Sequence, residues 1–480
     1  MLDAPDILQS FLTVAYLYLS IVCIVVILLE NKNPVRTMAW VMVLVFLPLL
    51  GLFLYMVFGR SFHRQKRISR KLKSKIYNCV SPQLSRSIKS ISADSEVVDR
   101  HIGLIRMLQK SGEAELFANN NVDIFTDGKS LLDRMIADIE KATNHVHVEY
   151  YIIESDETGS RFKNALIEKV RQGVEVRLIY DDFGSWHLKR SAVKEMRQAG
   201  IKLQSFFEIR FPYFTNKLNY RNHRKILVID GKVGYLGGFN IADRYTKGLK
   251  WGYWRDTHIR FEGDGVAGLQ TLFLTDWMYT SKKLHKTPRF FPVSQLHNNT
   301  CIQVVGSGPD MDWQPIMQTF CHAIHRAVKY IYIQTPYFLP NESINNALET
   351  AALGGIDVQV MIPYRSDARF VYEASLTYIA PLLKAGVKVF QYTGGFIHSK
   401  TMVVDDEVSI IGSANMDYRS FDQNFEVCAV IYDKEKGAEL RRIFTDDRKK
   451  SRRISAEAWQ KRPWWRKLIQ SIARLFSPIF

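Results

Sequence analysis

Cysteine is scarce in this chain of 480 residues. Five occur (Cys23, Cys79, Cys301, Cys321 and Cys428), an odd and scattered set with neither a C-x-x-C pair nor a disulfide framework. That excludes a small disulfide-stapled fold and points to a reducing, cytosolic setting for the soluble part. Acid is the second shortage. Lys and Arg number 65 against 48 Asp and Glu, an excess of 17. A balance this basic points to phosphate-bearing partners: nucleic acid, an anionic membrane surface or phosphorylated substrates. A leader cleavage site is missing too. Asp3 and Asp6, rather than a basic cluster, precede the first apolar run and no small-residue site follows it, which argues against a cleaved signal peptide.

Long apolar runs, by contrast, are present. Ile7 to Leu29 is long enough to cross a bilayer. A second run goes from Met38 to Phe58, with Trp40 and Tyr55 near its ends where interfacial anchors sit. Joined by the short loop Asn31–Thr37, the two are expected to form a membrane hairpin. Arg60, Arg64, Lys66, Arg67, Arg70, Lys71, Lys73, Lys75, Arg86 and Lys89 follow, with no acid before Asp94. By the positive-inside rule this run puts the bulk of the protein, and with two spans the N-terminus, in the cytoplasm. It either gathers anionic lipid or forms a solvated linker face.

The rest of the chain is organised around a motif written twice. Arg221-Asn222-His223-Arg224-Lys225 leads through Ile226–Ile229 to Asp230, and His398-Ser399-Lys400 leads through Thr401–Val404 to Asp405. Each copy reads H-x-K-x4-D, and each is followed after six residues by a glycine-led tail, Gly237-Gly238-Phe239-Asn240 and Gly412-Ser413-Ala414-Asn415. A single H-x-K arises by chance. Two copies matching at His, Lys, Asp, Gly and Asn outweigh the reading of two ordinary strands. The apolar, β-branched residues after each His predict a strand, on which His and Lys, two apart, share a face. The ammonium suits phosphate oxygens while the imidazole attacks phosphorus or moves a proton. It suits a metal poorly, because it would repel the cation. Asp230 and Asp405 lie at an odd offset, and Asp230-Gly231 is a hairpin-turn pair. Spacing alone makes these acids organisers of the strand end.

The doubled motif resembles the phospholipase D superfamily, whose members bring two such motifs to one site; the resemblance covers the chain from about Val122 onward. Asn33-Pro34-Val35-Arg36-Thr37-Met38-Ala39-Trp40, then Pro48, Gly51, Tyr55 and Phe58-Gly59, further resemble the N-terminal segment of bacterial cardiolipin synthases. The resemblance implies a metal-free, cofactor-free phosphatidyltransferase. It would act on phosphatidylglycerol and other anionic phospholipids at the bacterial cell membrane, as a multi-pass protein with its catalytic part cytoplasmic. It groups His223, Lys225, Asp230, His398, Lys400 and Asp405 as the catalytic set, with His223 as nucleophile and His398 as acid and base. Asn240, Asn415 and Ser413 would bind the phosphate, and Asp256 and Glu426 would orient the imidazoles. A hydrolase would use the same motif, and only the hairpin favours the transferase. A membrane-tethered nuclease is the third reading, not favoured because much of the charge is juxtamembrane.

The scaffold repeats as well. Leu131, Leu132, Met135, Ile136 and Ile139 recur at helical spacing. Val146–Ile153 then reads as a strand, Arg161–Gln172 as a helix, Val174–Tyr180 as a strand, Ser191–Ala199 as a helix and Ile201–Phe206 as a strand. Tyr330–Thr335 and Ile356–Ile362 repeat the strands. The expected fold is α/β, a tandem duplicated phospholipase D-like sandwich with one shared site behind a two-helix transmembrane hairpin. Its expected domains are the hairpin at 1–59, a basic linker at 60–115, and repeats at 116–290 and 291–480. The first repeat carries 11 extra residues before its motif, including the aromatic run Phe206–Phe214. That run reads as core packing, or as an acyl-chain pocket or bilayer contact. The tail Trp464–Phe480 is amphipathic and basic, suited to the membrane interface or to packing on the second repeat.

Overall fold

In the N-terminal unit the hydroxyl of Tyr16 donates to the Leu44 carbonyl at 2.6 Å. The computed structural model describes residues 4–29, 34–47, 50–55, 96–208, 220–283, 288–298 and 300–475. The helix Ala4–Leu29 contains an apolar stretch, Gln9–Leu29, long enough to cross a membrane. The helix Pro34–Phe46 packs on it, and Ile27, Leu44 and Tyr55 share a small core. The short helix Leu50–Leu54 then turns back. The rings of Trp40 and Tyr55 meet at 5.4 Å between centroids, and a Cβ on Gly51 would lie 2.4 Å from the carbonyl oxygen of Val43. In one straight helix those two rings would sit about 22 Å apart along the axis. Trp40 and Tyr55, expected as anchors near the two ends of the second apolar run, instead meet ring to ring. Asn33, Pro48, Phe58-Gly59 and the basic run Arg60–Lys89 lie outside the described residues.

The large unit is built on one sheet. Its first half supplies β1 (Leu116–Phe125), β2 (His145–Tyr150), β3 (Glu175–Asp181), β4 (Lys202–Phe206), β5 (Lys225–Ile229), β6 (Val233–Gly237), β7 (Tyr253–Arg255) and β8 (His258–Gly263). The second supplies β9 (Thr300–Ser307), β10 (Tyr330–Gln334), β11 (Phe338–Leu339), β12 (Asp357–Pro363), β13 (Lys388–Tyr392), β14 (Gly395–Ile397), β15 (Thr401–Val404), β16 (Val408–Gly412), β17 (Met416–Asp417), β18 (Glu426–Tyr432) and β19 (Ser451–Arg453). The 15-stranded sheet runs β19-β13-β12-β10-β15-β16-β18-β9-β1-β8-β6-β5-β2-β3-β4. Read outward from the β1–β9 pair, the two halves repeat the same order, so the duplication in sequence is a duplication in space.

Helices pack on the sheet because their apolar stripes match its buried faces. Gly128–Glu140 and Glu157–Arg171 cover the first half with Leu131, Met135, Ile139, Phe162 and Leu166. Asp127, Asp156, Asn341 and Asp433 each cap a helix by accepting the N–H three residues on, which fixes where those helices start. The expected linker ends earlier than 115. Glu96–Arg100 and Ile102–Gly112 are helices, and Val98, Leu104, Ile105 and Leu108 join the second half's core. Phe206 and Phe207 are buried against Tyr279 and Phe425, as core packing requires; the rest of that aromatic run, Ile209 to Phe214, lies outside the described residues.

Candidate active site

The two motif histidines sit just ahead of their strands, at the carboxyl ends of the parallel strands where α/β sheets hold ligands. Lys225 opens β5 opposite Tyr150, the last residue of β2, and His223 lies two residues before it. Each histidine backbone is tied across the duplication. The His223 N–H donates to the Phe425 carbonyl at 2.9 Å. The His398 N–H donates to the Arg255 carbonyl at 2.7 Å, where β7 pairs in parallel with β14.

The imidazoles are crossed in the same way. Both carboxylate oxygens of Glu426, from the second half, lie 3.0 Å from His223 Nδ1. Asp256 Oδ2, from the first half, lies 2.6 Å from His398 Nδ1. These acids hold equivalent places, two residues before His258 and Cys428, which pair with Gly237 and Gly412. That close pairing explains the glycine-led tails. A Cβ on Gly237 would come within 2.6 Å of His258 Nδ1, and one on Gly412 within 2.4 Å of the Val427 carbonyl oxygen. The lysines stay beside their histidines: Lys225 Nζ donates to the His223 carbonyl at 2.6 Å, and Lys400 Nζ lies 2.7 Å from His398 Nδ1.

Burial sets the protonation states. It pulls both imidazoles down to about 4, against the opposing charges of Glu426 and Asp256. Burial also lowers Lys225 to about 7 and Lys400 to about 8, the charge of Lys400 adding to the effect on Lys225. Burial alone would raise Glu426, but His223, Lys225 and Ser413 bring it down to about 2. Lys400 and His398 likewise hold Asp256 below its usual range despite burial. At neutral pH each carboxylate accepts Nδ1–H from its neutral imidazole, which leaves each Nε2 lone pair free. Two carboxylates offset two ammonium groups, so an entering phosphate meets donors without a large uncompensated positive charge. Such a site can attack phosphorus with one ring and shuttle a proton with the other.

The remaining motif residues fall in different places. Asp230 accepts the amide N–H groups of Thr143, Asn144 and His145 at 2.8–2.9 Å, and Asp405 those of Val328, Lys329 and Tyr330 at 2.7–2.8 Å. Both have positive φ, 53° and 54°, in the turns after β5 and β15. They stand at the far end of those strands from the lysines, so grouping them with the catalytic set is corrected: they clamp the start of β2 and β10. Ser413 is buried, its hydroxyl donating to Glu426 and accepting the Val427 N–H at 3.0 Å, which makes it a support for the carboxylate rather than a phosphate ligand. The Asn240 amide accepts the Ile152 N–H at 3.1 Å and donates to the Tyr245 hydroxyl at 2.7 Å. Asn415 is buried, and its Oδ1 makes no hydrogen bond among the described residues. Among the described residues no group of three or more His, Cys, Asp or Glu is arranged to hold a metal ion.

Sequence reasoning missed the layer behind the imidazoles. Asn222 Nδ2 donates to the buried Glu149. Arg224 pairs with Asp276 and donates through Nε to the Glu426 carbonyl at 3.1 Å. Burial and the charge of Asp276 raise the Glu149 pKa well above its usual value. Its counterpart in the second half is Gln334, whose Nε2 donates to Asp447 at 2.9 Å, while Asp447 pairs with Arg255 at 2.8 Å. Glu149 and Gln334 are close in shape, so the halves carry one arrangement. The available signal was an acid in the last two residues of a fully buried strand.

Comparison with known proteins rests on this geometry. The family described as "Cardiolipin synthase, PLD-like domain" matches residues 135–250 and 320–448, one segment around each motif. A second, "Phospholipase_D-nuclease N-terminal", matches 19–60. A cardiolipin synthase of Oceanobacillus iheyensis is 43% identical over 461 residues, 95% of each chain. The chain belongs to the cardiolipin synthase family. The major cardiolipin synthase ClsA of Bacillus subtilis is 42% identical over 480 residues, spanning 98% of this chain and 99% of its own. Among solved structures, a phosphatidylserine synthase of Haemophilus influenzae superposes with a TM-score of 0.61 at 13% identity, over 79% of this chain and all of its own. That likeness shows a shared fold.

Proposed function

We propose that the protein is a phosphatidyltransferase that makes cardiolipin from two molecules of phosphatidylglycerol, releasing glycerol. The observation that carries this reading is the crossed pairing, His223 with Glu426 and His398 with Asp256, in a chain alike to cardiolipin synthases along nearly its whole length. Neither half holds a complete site, so the segments 116–290 and 291–480 act as one enzyme. His223 Nε2 attacks the phosphorus of the first phosphatidylglycerol. The bond to the glycerol oxygen breaks, and His398 supplies the proton that leaves with it. The bound anion favours this imidazolium over the neutral ring of the empty site. A hydroxyl of the second phosphatidylglycerol then gives its proton to His398 and attacks phosphorus, and the P–N bond breaks to regenerate His223. Lys225 and Lys400 bear on the non-bridging oxygens, and Asn240 and Asn415 turn their amides to the phosphate when it enters. Glu426 and Asp256 hold tautomer and orientation, as the acid of a Ser-His-Asp triad does.

The helix Ala4–Leu29 anchors the chain in the membrane with Pro34–Phe46 packed on it, both apolar runs lie in the bilayer, and the basic run from Arg60 holds the catalytic unit on the cytoplasmic side. The test is to incubate purified full-length protein with labelled phosphatidylglycerol in mixed micelles containing chelator. Cardiolipin and glycerol in equal amounts are expected. Phosphatidic acid and glycerol would mark a hydrolase, and loss of turnover restored by a divalent cation would overturn the metal-free chemistry.

A further inference from the structure

The helix Trp464–Leu475 is mounted the wrong way round for a helix that belongs to a core. Of its twelve residues only Gln470 and Ala473 are buried. Gln470 accepts from Arg462 and donates to Glu373, both at 2.8 Å, and Arg474 lies 4.8 Å over the ring of Tyr378. The apolar side points away. Trp464, Trp465, Leu468, Ile469, Ile472 and Leu475 are 47–77% exposed, and at about 100° per residue they fill an arc of about 140° facing away from the buried pair. An amphipathic helix ordinarily buries that stripe, and six large side chains in one row are more than the scattered exposures of a soluble surface. Arg466 flanks the row on one side, Lys467 and Arg474 on the other, all exposed.

We propose that this face seats on an anionic bilayer and holds the rim of the active site against the lipid surface. A basic helix with tryptophans at its start has the composition that lies in the headgroup layer, and its cations complement anionic lipid. They also disfavour a second copy of the same basic face. The chain carries a helix long and apolar enough to cross a membrane, which on the anchoring proposed above keeps a bilayer within its reach. The face is also continuous with the site. Trp464–Leu475 packs on the helix Arg369–Ser375, whose Phe370 is 48% exposed and which follows the loop after β12. In that loop Asp367 accepts from the Tyr337 hydroxyl at 2.6 Å, and the Tyr337 ring lies 6.5 Å from that of His398. The seat goes beyond the transferase reading and is measured without turnover.

The experiment uses the full chain with Cys23, Cys79 and Cys321 replaced by Ala, reconstituted in vesicles of phosphatidylglycerol and phosphatidylcholine. Single cysteines are placed by Leu468→Cys, Ile472→Cys and Ser471→Cys and labelled with a nitroxide. The expected result is that labels at 468 and 472 relax several-fold more with oxygen, relative to a water-soluble nickel chelate, than the label at 471. Equal access of the chelate to all three sites would overturn the proposal. So would spin–spin broadening at 468 that vanishes on dilution with unlabelled protein, because a second copy would then cover the face. As an independent readout, the double substitution Leu468→Ser and Ile472→Ser should lower turnover on vesicles about fivefold while leaving turnover in detergent micelles unchanged. An equal loss in both would assign these residues a structural role and refute the seat.

Discussion

Gly238 offers a sharp test because its neighbour is the carboxylate behind His398. A Cβ at this position would lie 1.9 Å from Asp256 Oδ1 and 2.5 Å from its Cγ, where real contacts do not fall below 3.0 Å. In Gly238→Ala the carboxylate must retreat by about 1 Å or more, and its 2.6 Å hydrogen bond to His398 cannot survive unchanged. Misplacement of a catalytic group by about 1 Å costs roughly 10²-fold in rate, or about 2.7 kcal/mol of barrier. The expected result is a kcat about 100-fold lower with a smaller rise in KM, because Asp256 also faces Lys400 at 3.9 Å. The second half shows how the defect is repaired: there the equivalent residue is Ser413, and its carboxylate partner is a glutamate, bonded to that serine. Gly238→Ser combined with Asp256→Glu copies that pair and should recover about tenfold over Gly238→Ser alone. The assay is cardiolipin formation in mixed micelles, alongside a thermal melt to exclude unfolding. A Gly238→Ala variant that keeps more than half of the wild-type kcat would refute the reasoning.

Three further outcomes are expected. His223→Ala and His398→Ala should each remove nearly all turnover, and the double variant should be no worse than either, since the two rings act as one unit; a single variant with substantial activity would break the one-site account. Attack needs a neutral His223 and charged lysines, while His398 carries its proton once the substrate anion is bound. With His223 near 4 and the lysines near 7 and 8, kcat should fall below about pH 4 and again as pH rises through 7 to 8. Lys225→Arg should move the alkaline limb upward, and a limb unmoved in a folded variant would assign it to another group. Asp230→Ala strips the acceptor from three amides, so stability should drop by about 2–3 kcal/mol in denaturant titration at neutral pH. The Asp230 pKa is lowered by those amides against burial. Its contribution is therefore present above the normal carboxylate pKa and lost as pH falls through the depressed one, so wild type and variant should converge in acid.

The duplication was legible because it is local. Strand patterns such as Val174–Tyr180 and helical spacing such as Leu131–Ile139 survive in short windows, and two H-x-K-x4-D copies announce themselves. The odd offset of Asp230 and Asp405 already placed them at the strand end, and each accepts three amides there. What stayed hidden depends on contacts between distant residues. Nothing in the local sequence pairs His223 with Glu426, 203 positions away, or sets Glu149 against Asp276. The role assigned to Ser413 by resemblance overlooked the carboxylate that already engages it. Composition marked Met38–Phe58 as a span, but the contacts that set Trp40 on Tyr55 and Gly51 on Val43 are ones no hydropathy window sees.

The central claim is that one histidine carries the phosphatidyl group while the other moves protons, and trapping the intermediate tests it most directly. Attack by imidazole on a phosphodiester needs an acid only when the leaving alkoxide is poor, and p-nitrophenolate is a good leaving group. His398→Ala, given a p-nitrophenyl phosphatidyl ester, should release about one nitrophenolate per active site and stop, because no base remains to activate the incoming hydroxyl. Peptide mass spectrometry should then find an acid-labile, base-stable phosphatidyl adduct on His223, and His223→Ala should show neither burst nor adduct. Continuous release by His398→Ala with an unmodified His223 peptide would contradict the account.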